Sequence, residues 1–376
     1  MSKIKRYIHD QITSDLKEKM VFIGGPRQVG KTFLSKQFIE KESQYLNWDR
    51  VSDKNKILKD QLELDQEILI LDEVHKYRLW RTLVKGYFDK YFPKLNFIIT
   101  GSARLDHFRK GGDSLVGRFH YLRLHPLSLN EVAQKPTLKD LERLLQFGGF
   151  PEPYIKQNKI HHQRWINERT SRVVTQDLID LETVKDTSLV ELLAISLPTK
   201  VGSQLSIKSL QEDLSVSPNT VSRWIEILEK LYFCYRIYPY GAQKIKAVKK
   251  AAKLYMWDWS MVEDAGARFE NLVASQLLKF CHYQEDCFGR KVELRYFKNV
   301  VNEKEIDFIV LEKGKPLFAV ECKSGEKQLS KELRMSGQKL KIPELYQVHM
   351  GKKTYGEKST GLVLPLIEFC KLLDMP

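Results

Sequence analysis

Gly25-Pro26-Arg27-Gln28-Val29-Gly30-Lys31-Thr32 satisfies GxxxxGK[ST] at every fixed position. Such a loop can hold a triphosphate. Its glycines let backbone N–H groups curl around phosphate oxygens, and the helix that follows adds a partial positive charge. Lys31 would reach the β- and γ-phosphates and Thr32 would place its hydroxyl on Mg²⁺, so ATP and Mg²⁺ are the expected cofactors. Downstream, Ile68-Leu69-Ile70-Leu71 runs into Asp72-Glu73. Asp72 is placed to hold the Mg²⁺ shell and Glu73 to polarise the attacking water. Asn96-Phe97-Ile98-Ile99-Thr100-Gly101-Ser102 also ends in small polar residues. A strand inserted between the other two would put Thr100 or Ser102 near the γ-phosphate. Arg118 is a candidate finger on a neighbouring subunit's nucleotide, with Arg104 competing for the role.

A second constellation lies near the C-terminus. Glu305-Ile306-Asp307-Phe308-Ile309-Val310 and Leu317-Phe318-Ala319-Val320-Glu321-Cys322-Lys323 read as strands joined by a turn at Lys313-Gly314-Lys315-Pro316. Side chains alternate along a strand, so Glu321 and Lys323 share a face and Cys322 points away. The hairpin brings Asp307 near Glu321, and Glu270 comes from a helix beginning at Phe269-Glu270-Asn271-Leu272-Val273.

Two resemblances follow from these residues. GGPRQVGKT, LILDEVHK, ITGSA, and SLVGRF followed by HPLSLNEV resemble a family of bacterial and archaeal AAA+-like ATPases. Its members carry an uncharacterised C-terminal domain with a restriction-endonuclease-like core. The resemblance covers nearly the whole chain and implies ATP binding in the first domain. The Thr100–Ser102 stretch is similar to an AAA+ sensor position, and His75 stands where a glutamine is more usual. Glu270, Asp307, Glu321 and Lys323 together resemble the PD-(D/E)xK nuclease superfamily. That resemblance implies Mg²⁺ held by the acids, with Lys323 orienting or deprotonating the attacking water.

These residues need a scaffold. Met20–Gly25, Tyr45–Asp49, Glu67–Glu73, Asn96–Thr100 and Phe119–His125 are short apolar runs separated mostly by helical stretches. That alternation predicts a parallel sheet covered on both faces. From Leu138 to Thr199 the periodicity is helical, interrupted at Gly148-Gly149-Phe150-Pro151. The expected fold is a multidomain α/β chain. Residues 1–137 form a P-loop ATPase, 138–202 a helical segment, 203–253 a winged-helix-like unit with a basic connector, and 254–376 a restriction-endonuclease-like α/β domain.

Within 203–253, Ser206–Leu214 and Asn219–Tyr232 read as two helices separated by Ser215-Val216-Ser217. Ser217 suits an N-cap and Pro218 a first turn. A strand at Tyr232–Tyr238 would serve as a wing. In such units the second helix meets DNA with its N-terminal residues, here Asn219, Thr220, Ser222 and Arg223. Lys244, Lys246, Lys249, Lys250 and Lys253 follow with no acidic residue between Gly241 and Lys253, which suits phosphate contacts.

The net charge of +14 also points to a polyanionic partner, so DNA joins ATP as an expected partner. No apolar run approaches a membrane span, and the charged first twenty residues lack a signal-peptide core, which predicts a cytoplasmic protein with no membrane partner. The 5 scattered cysteines argue against a disulfide framework or a zinc site. A homo-oligomer is expected if Arg118 acts in trans.

Overall fold

The computed structural model describes residues 4–62, 64–101, 115–177, 186–241, 252–299 and 305–376. Ser102, Arg104, Lys244, Lys246, Lys249 and Lys250 lie outside the described residues. The chain divides into two compact units, Met1–Pro126 and Leu127–Pro376.

In the first unit the strands are β1 (Met20–Gly24), β2 (Tyr45–Asn47), β3 (Ile68–Asp72), β4 (Asn96–Thr100) and β5 (Phe119–Arg123). They form one parallel sheet in the order β2-β3-β4-β1-β5. Every residue of β1 and β4 is buried, as a central parallel strand requires when helices cover both faces. The helices are α1 (His9–Asp15), α2 (Lys31–Ser35), α3 (Val51–Leu58) and α4 (Trp80–Tyr91). On one face, Phe22, Leu71, Phe97 and Ile99 pack with Trp80, Val84 and Tyr87 of α4. β4 does lie between β1 and β3. Register aligns Thr100 with both Asp72 and Ile23, so three strands end on one edge beside the loop after β1.

The second unit begins with helices: α5 (Leu129–Val132), α6 (Leu138–Phe147), α7 (Pro151–Lys156), α8 (Lys159–Arg172) and α9 (Thr187–Ser196). Gly148 (φ +72) ends α6, and Pro151 opens α7. α10 (Ile207–Leu214) and α11 (Pro218–Lys230) follow, joined through Ser215 in the left-handed region. Ser217 caps α11 by accepting the Thr220 N–H at 3.1 Å.

The remaining elements are β6 (Cys234–Pro239), β7 (Lys253–Met256), α12 (Ala265–Phe288), β8 (Val292–Lys298), β9 (Glu305–Glu312), β10 (Lys315–Cys322), α13 (Lys331–Lys339), β11 (Glu344–His349), β12 (Tyr355–Glu357), β13 (Gly361–Pro365) and α14 (Leu366–Leu372). They build an eight-stranded sheet, β12-β13-β11-β10-β9-β8-β6-β7. β8, β9 and β10 are antiparallel neighbours, and β11 runs parallel to β10. Lys313 and Gly314 both have positive φ, which makes the β9–β10 connection a tight two-residue turn. Ile306, Ile309 and Ala319 pack against Leu333 of α13.

This arrangement corrects one expectation. The strand expected as a wing is β6, and it pairs with β7 and β8 as part of the large sheet. A lone two-stranded ribbon is marginal in water, and β6 buries Cys234, Tyr235 and Ile237 by joining the larger sheet. A boundary at 253/254 would therefore cut β7 after its first residue. Among the described residues, no helix is long and apolar enough to cross a membrane.

Candidate functional site

The loop after β1 depends on backbone conformations that its sequence permits. Gly25 has φ +137, and a Cβ there would lie 2.3 Å from the Leu124 carbonyl oxygen, so the position accepts glycine alone. Gln28 (φ +61) and Gly30 (φ +98) complete the curl, and Gly30 is the N-cap of α2. Arg6, just before α1, braces the loop from behind. Its guanidinium donates to the Val29 carbonyl at 2.7 Å and to the His125 carbonyl.

Lys31 is buried, and its ammonium donates to the Gly25 and Pro26 carbonyls at 2.8 and 2.6 Å. Thr32 Oγ1 donates to Asp72 Oδ2 at 3.0 Å. Asp72, at the end of β3, also accepts from the Tyr45 hydroxyl at 2.6 Å and from the Thr100 hydroxyl. Burial, then the hydrogen bond to Asp72, pushes the Tyr45 hydroxyl well above the usual tyrosine range, so it remains a donor.

Glu73 follows at φ +58, and its N–H donates to the Thr100 carbonyl at 3.0 Å. Burial raises its carboxyl above the usual value, with Asp72 adding to the shift and Lys76, Lys31 and Arg27 opposing it. Its Oε2 lies 3.4 Å from Lys76 Nζ and 3.6 Å from His75 Nε2 and accepts no hydrogen bond.

Arg118 is elsewhere. Met20 N donates to the Arg118 carbonyl at 3.0 Å, and Met20 is in register with Phe119. Arg118 therefore stands where β1 begins, while the loop follows Gly24 at the other end. The strand between spans about 13 Å at ~3.3 Å per residue. Its guanidinium is clasped by Asp89 of α4 at 2.7 and 3.3 Å.

In the second unit the sheet and α12 bring the predicted residues together. Asp307 of β9 accepts the Cys322 N–H at 2.8 Å, and Glu321 of β10 accepts from Lys323 Nζ at 2.8 Å. Glu270 of α12 accepts from the Tyr255 hydroxyl at 2.8 Å. Burial first, and then the Asp307 charge, pushes both Glu270 and Glu321 up to about 7. Burial raises Asp307 as well, against the pull of Lys253. Asp307 and Glu321 stand on paired antiparallel strands, with Phe308 in register with Val320.

Lys253 departs from the expectation of a connector lysine that contacts phosphate. It is 2 % exposed, and its ammonium lies 3.5 Å from Glu270, 3.9 Å from Asp307 and closer still to Glu305. Burial opposes its charge, yet the three acids outweigh that and hold it protonated above the usual lysine range. Among the described residues, no three His, Cys, Asp or Glu side chains are grouped to hold a metal ion. Sequence reasoning missed Tyr45, Tyr255, Glu305 and the placement of Lys253. Alternation was the available signal, since Glu305 and Asp307 share a strand face, as do Lys253 and Tyr255.

Comparison with known proteins adds domain identities. Residues 17–133 match a family model described as an AAA domain. Residues 138–271 and 265–369 match two models described as domains of unknown function, DUF8612 and DUF4143. An uncharacterized protein of Methanocaldococcus jannaschii is 23% identical over 378 residues, covering 90% of this chain and 83% of that protein. Orc1 of Aeropyrum pernix, solved in complex with DNA, superposes at a TM-score of 0.35 with 13% identity, covering 73% of this chain and 94% of that one. A RuvB variant of Thermotoga maritima gives 0.31 with 14% identity, covering 61% and 88%. Both superpositions are loose. The chain thus carries an AAA-type ATPase domain over residues 17–133, and its other matched segments are similar to domains of unknown function.

Proposed function

We propose that this chain binds and hydrolyses ATP at Lys31, Thr32, Asp72 and Glu73 and uses the turnover to act on DNA, with phosphodiester cleavage at Asp307, Glu321 and Lys323. The observation that carries the proposal is the Asp72 carboxylate, which gathers the hydroxyls of Thr32, Tyr45 and Thr100 beside the phosphate-binding loop. Hydroxyl and carboxylate oxygens are hard donors that suit Mg²⁺, and Thr32 and Asp72 would hold it. When bound, Mg²⁺ neutralises charge building on the phosphates. Lys31 would exchange the Gly25 and Pro26 carbonyls for phosphate oxygens. Glu73 Oε2, buried and accepting no hydrogen bond, is free to take one from the attacking water. Arg118 would serve only a neighbouring chain's nucleotide, which requires an oligomer.

The DNA part draws support from the net charge and from α11, whose start exposes Asn219 and Arg223 with Thr220 and Ser222 half-buried between them. Cleavage draws support from the order α12-β8-β9-β10-α13-β11, with Glu270, Asp307 and the Glu321–Lys323 pair on successive elements. Glu270, Asp307 and Glu321 offer carboxylate oxygens, again suited to Mg²⁺, and Lys323 is held against Glu321 where it can orient a water.

Incubating the protein with Mg²⁺, ATP and linear, branched and single-stranded DNA tests the proposal, and cleavage by wild type but not by Lys323→Ala is the expected result. The Lys253 ammonium favours a second reading, an ATP-gated DNA-binding switch that does not cut. Salt-dependent DNA binding with no cleavage by either protein would select it.

A further inference from the structure

Asn47 is in register with Asp72, and the Trp48 N–H donates to the Asp72 carbonyl at 3.0 Å, so β2 and β3 run out of the sheet side by side. A carboxylate follows each strand, Asp49 after β2 and Glu73 after β3. One ammonium stands between them. Lys76 Nζ donates to Asp49 Oδ2 at 2.5 Å and lies 3.4 Å from Glu73 Oε2, which accepts no hydrogen bond. Burial opposes the charge on Lys76, but the hydrogen bond to Asp49 and then the Glu73 charge outweigh it and keep the ammonium protonated. The backbone around all three is pinned. Asn47 Oδ1 accepts the Asp49 N–H at 2.8 Å, the Lys76 N–H donates to the Glu73 carbonyl at 3.0 Å, and Tyr77 stacks on Trp48 with ring centroids 5.0 Å apart. The long Lys76 side chain is the part that can swing, and Asp49 holds it.

We propose that Asp49 is a positioning residue for ATP hydrolysis, which holds the Lys76 ammonium and so keeps Glu73 Oε2 open to the attacking water. The proposal rests on the reading of Glu73 as the group that polarises this water, and it adds what keeps that group available. Asp49 and Glu73 both lie within 4 Å of the ammonium, so a lysine released by one has the other beside it. Closing the 3.4 Å gap would form a charge-assisted hydrogen bond. It would fill the oxygen that must accept from water, and the bound cation would weaken its pull on a proton.

Steady-state ATP hydrolysis by the full-length protein and its variants tests this. Asp49 is largely exposed, so its substitution leaves the core untouched. Asp49→Asn should lower kcat about tenfold or more, part of the ~10²–10⁴-fold that losing a general base costs, with KM for ATP within about twofold. Adding Lys76→Met removes the cation that would occupy Glu73, and kcat should return to within about twofold of wild type. A folding defect cannot give that result, since a second substitution in the same contact would deepen the loss. Wild-type kcat in Asp49→Asn, or a double variant as slow as Asp49→Asn alone, would overturn the proposal. Glu73→Gln separates the proposal from the reading beneath it. A slow Glu73→Gln that Asp49→Asn slows no further upholds both. Hydrolysis at the wild-type rate by Glu73→Gln removes the role of Glu73 and that of Asp49 with it. A slow Glu73→Gln beside a wild-type rate in Asp49→Asn removes the role of Asp49 alone.

Discussion

The Thr32 hydroxyl donates to Asp72 Oδ2 across 3.0 Å, joining the first turn of α2 to the end of β3. The same carboxylate accepts from Tyr45 and Thr100, so its orientation is set by hydroxyls from one helix and two strands. Asp72→Asn keeps the shape but loses the charge and turns one acceptor into a donor. The Mg²⁺-dependent part of ATP affinity should fall by about 10–100-fold. Calorimetric titration with ATP in the presence and absence of Mg²⁺ checks this. An unchanged Mg²⁺ response would place the metal elsewhere.

Gly25 and Gly117 separate two costs of adding a methyl group. Both have positive φ, at +137 and +82, but only at Gly25 would the new Cβ meet backbone, the Leu124 carbonyl oxygen at 2.3 Å. Gly117→Ala should cost about 1–2 kcal/mol from φ alone. Gly25→Ala should cost clearly more and also abolish ATP binding, because the strand end must move. Thermal melts of the two variants, with an ATP titration of each, decide the point. Equal destabilisation would mean that the close approach to Leu124 carries no cost.

The nucleotide site was largely legible because its motif is contiguous. Eight residues in a row carry the loop, and the strand before them and the helix after them are short-range signals. Tyr45 was not legible, since its hydroxyl reaches Asp72 only because β2 happens to pair with β3. At the C-terminus, Asp307, Glu321 and Lys323 were found by alternation and by a turn whose two residues take positive φ. Lys253 was misread as a phosphate contact because its sequence neighbours are lysines. Its burial follows from pairing with β6, and a four-residue strand is too short to announce itself by periodicity. The wing was misassigned for a related reason. Local pattern shows that Cys234–Pro239 is a strand, but not which sheet it joins.

Arg118 sits at the edge of the sheet opposite the phosphate-binding loop, held by Asp89. Arg118→Ala should leave ATP affinity within about twofold. If the arginine acts on a neighbour, the rate of hydrolysis should fall by ~10³-fold or more. Mixing Arg118→Ala with Lys31→Ala protein should restore part of the turnover, because a mixed interface can pair an intact loop with an intact arginine. A flat response across all mixing ratios would show that Arg118 only braces α4.

Lys323 is held by Glu321 at 2.8 Å, and both belong to the end of β10 and the residue after it. Lys323→Ala should leave ATP turnover within about twofold of wild type, since no residue of the nucleotide site belongs to this cluster. DNA cleavage should fall by ~10²-fold or more, the usual scale for losing a group that orients or deprotonates water. Parallel phosphate-release and DNA-cleavage assays on one preparation check both halves. Loss of both activities together would point to a folding defect, which a melt would reveal.

The most direct measurement is single-turnover hydrolysis of bound ATP by Glu73→Gln. The variant removes the carboxylate while keeping the Lys31–Thr32–Asp72 cradle. Burial holds the Glu73 carboxyl above its usual value. Such a group stabilises the fold while protonated, and that contribution is lost as pH rises through the raised value. Glutamine removes the cost of the buried charge, so the variant should melt no lower than wild type at neutral pH, which makes misfolding an inadequate explanation of lost activity. ATP should bind with wild-type affinity and hydrolyse ~10²–10⁴-fold more slowly. Hydrolysis at the wild-type rate would contradict the assignment of Glu73 and, with it, the account of how this chain turns over ATP.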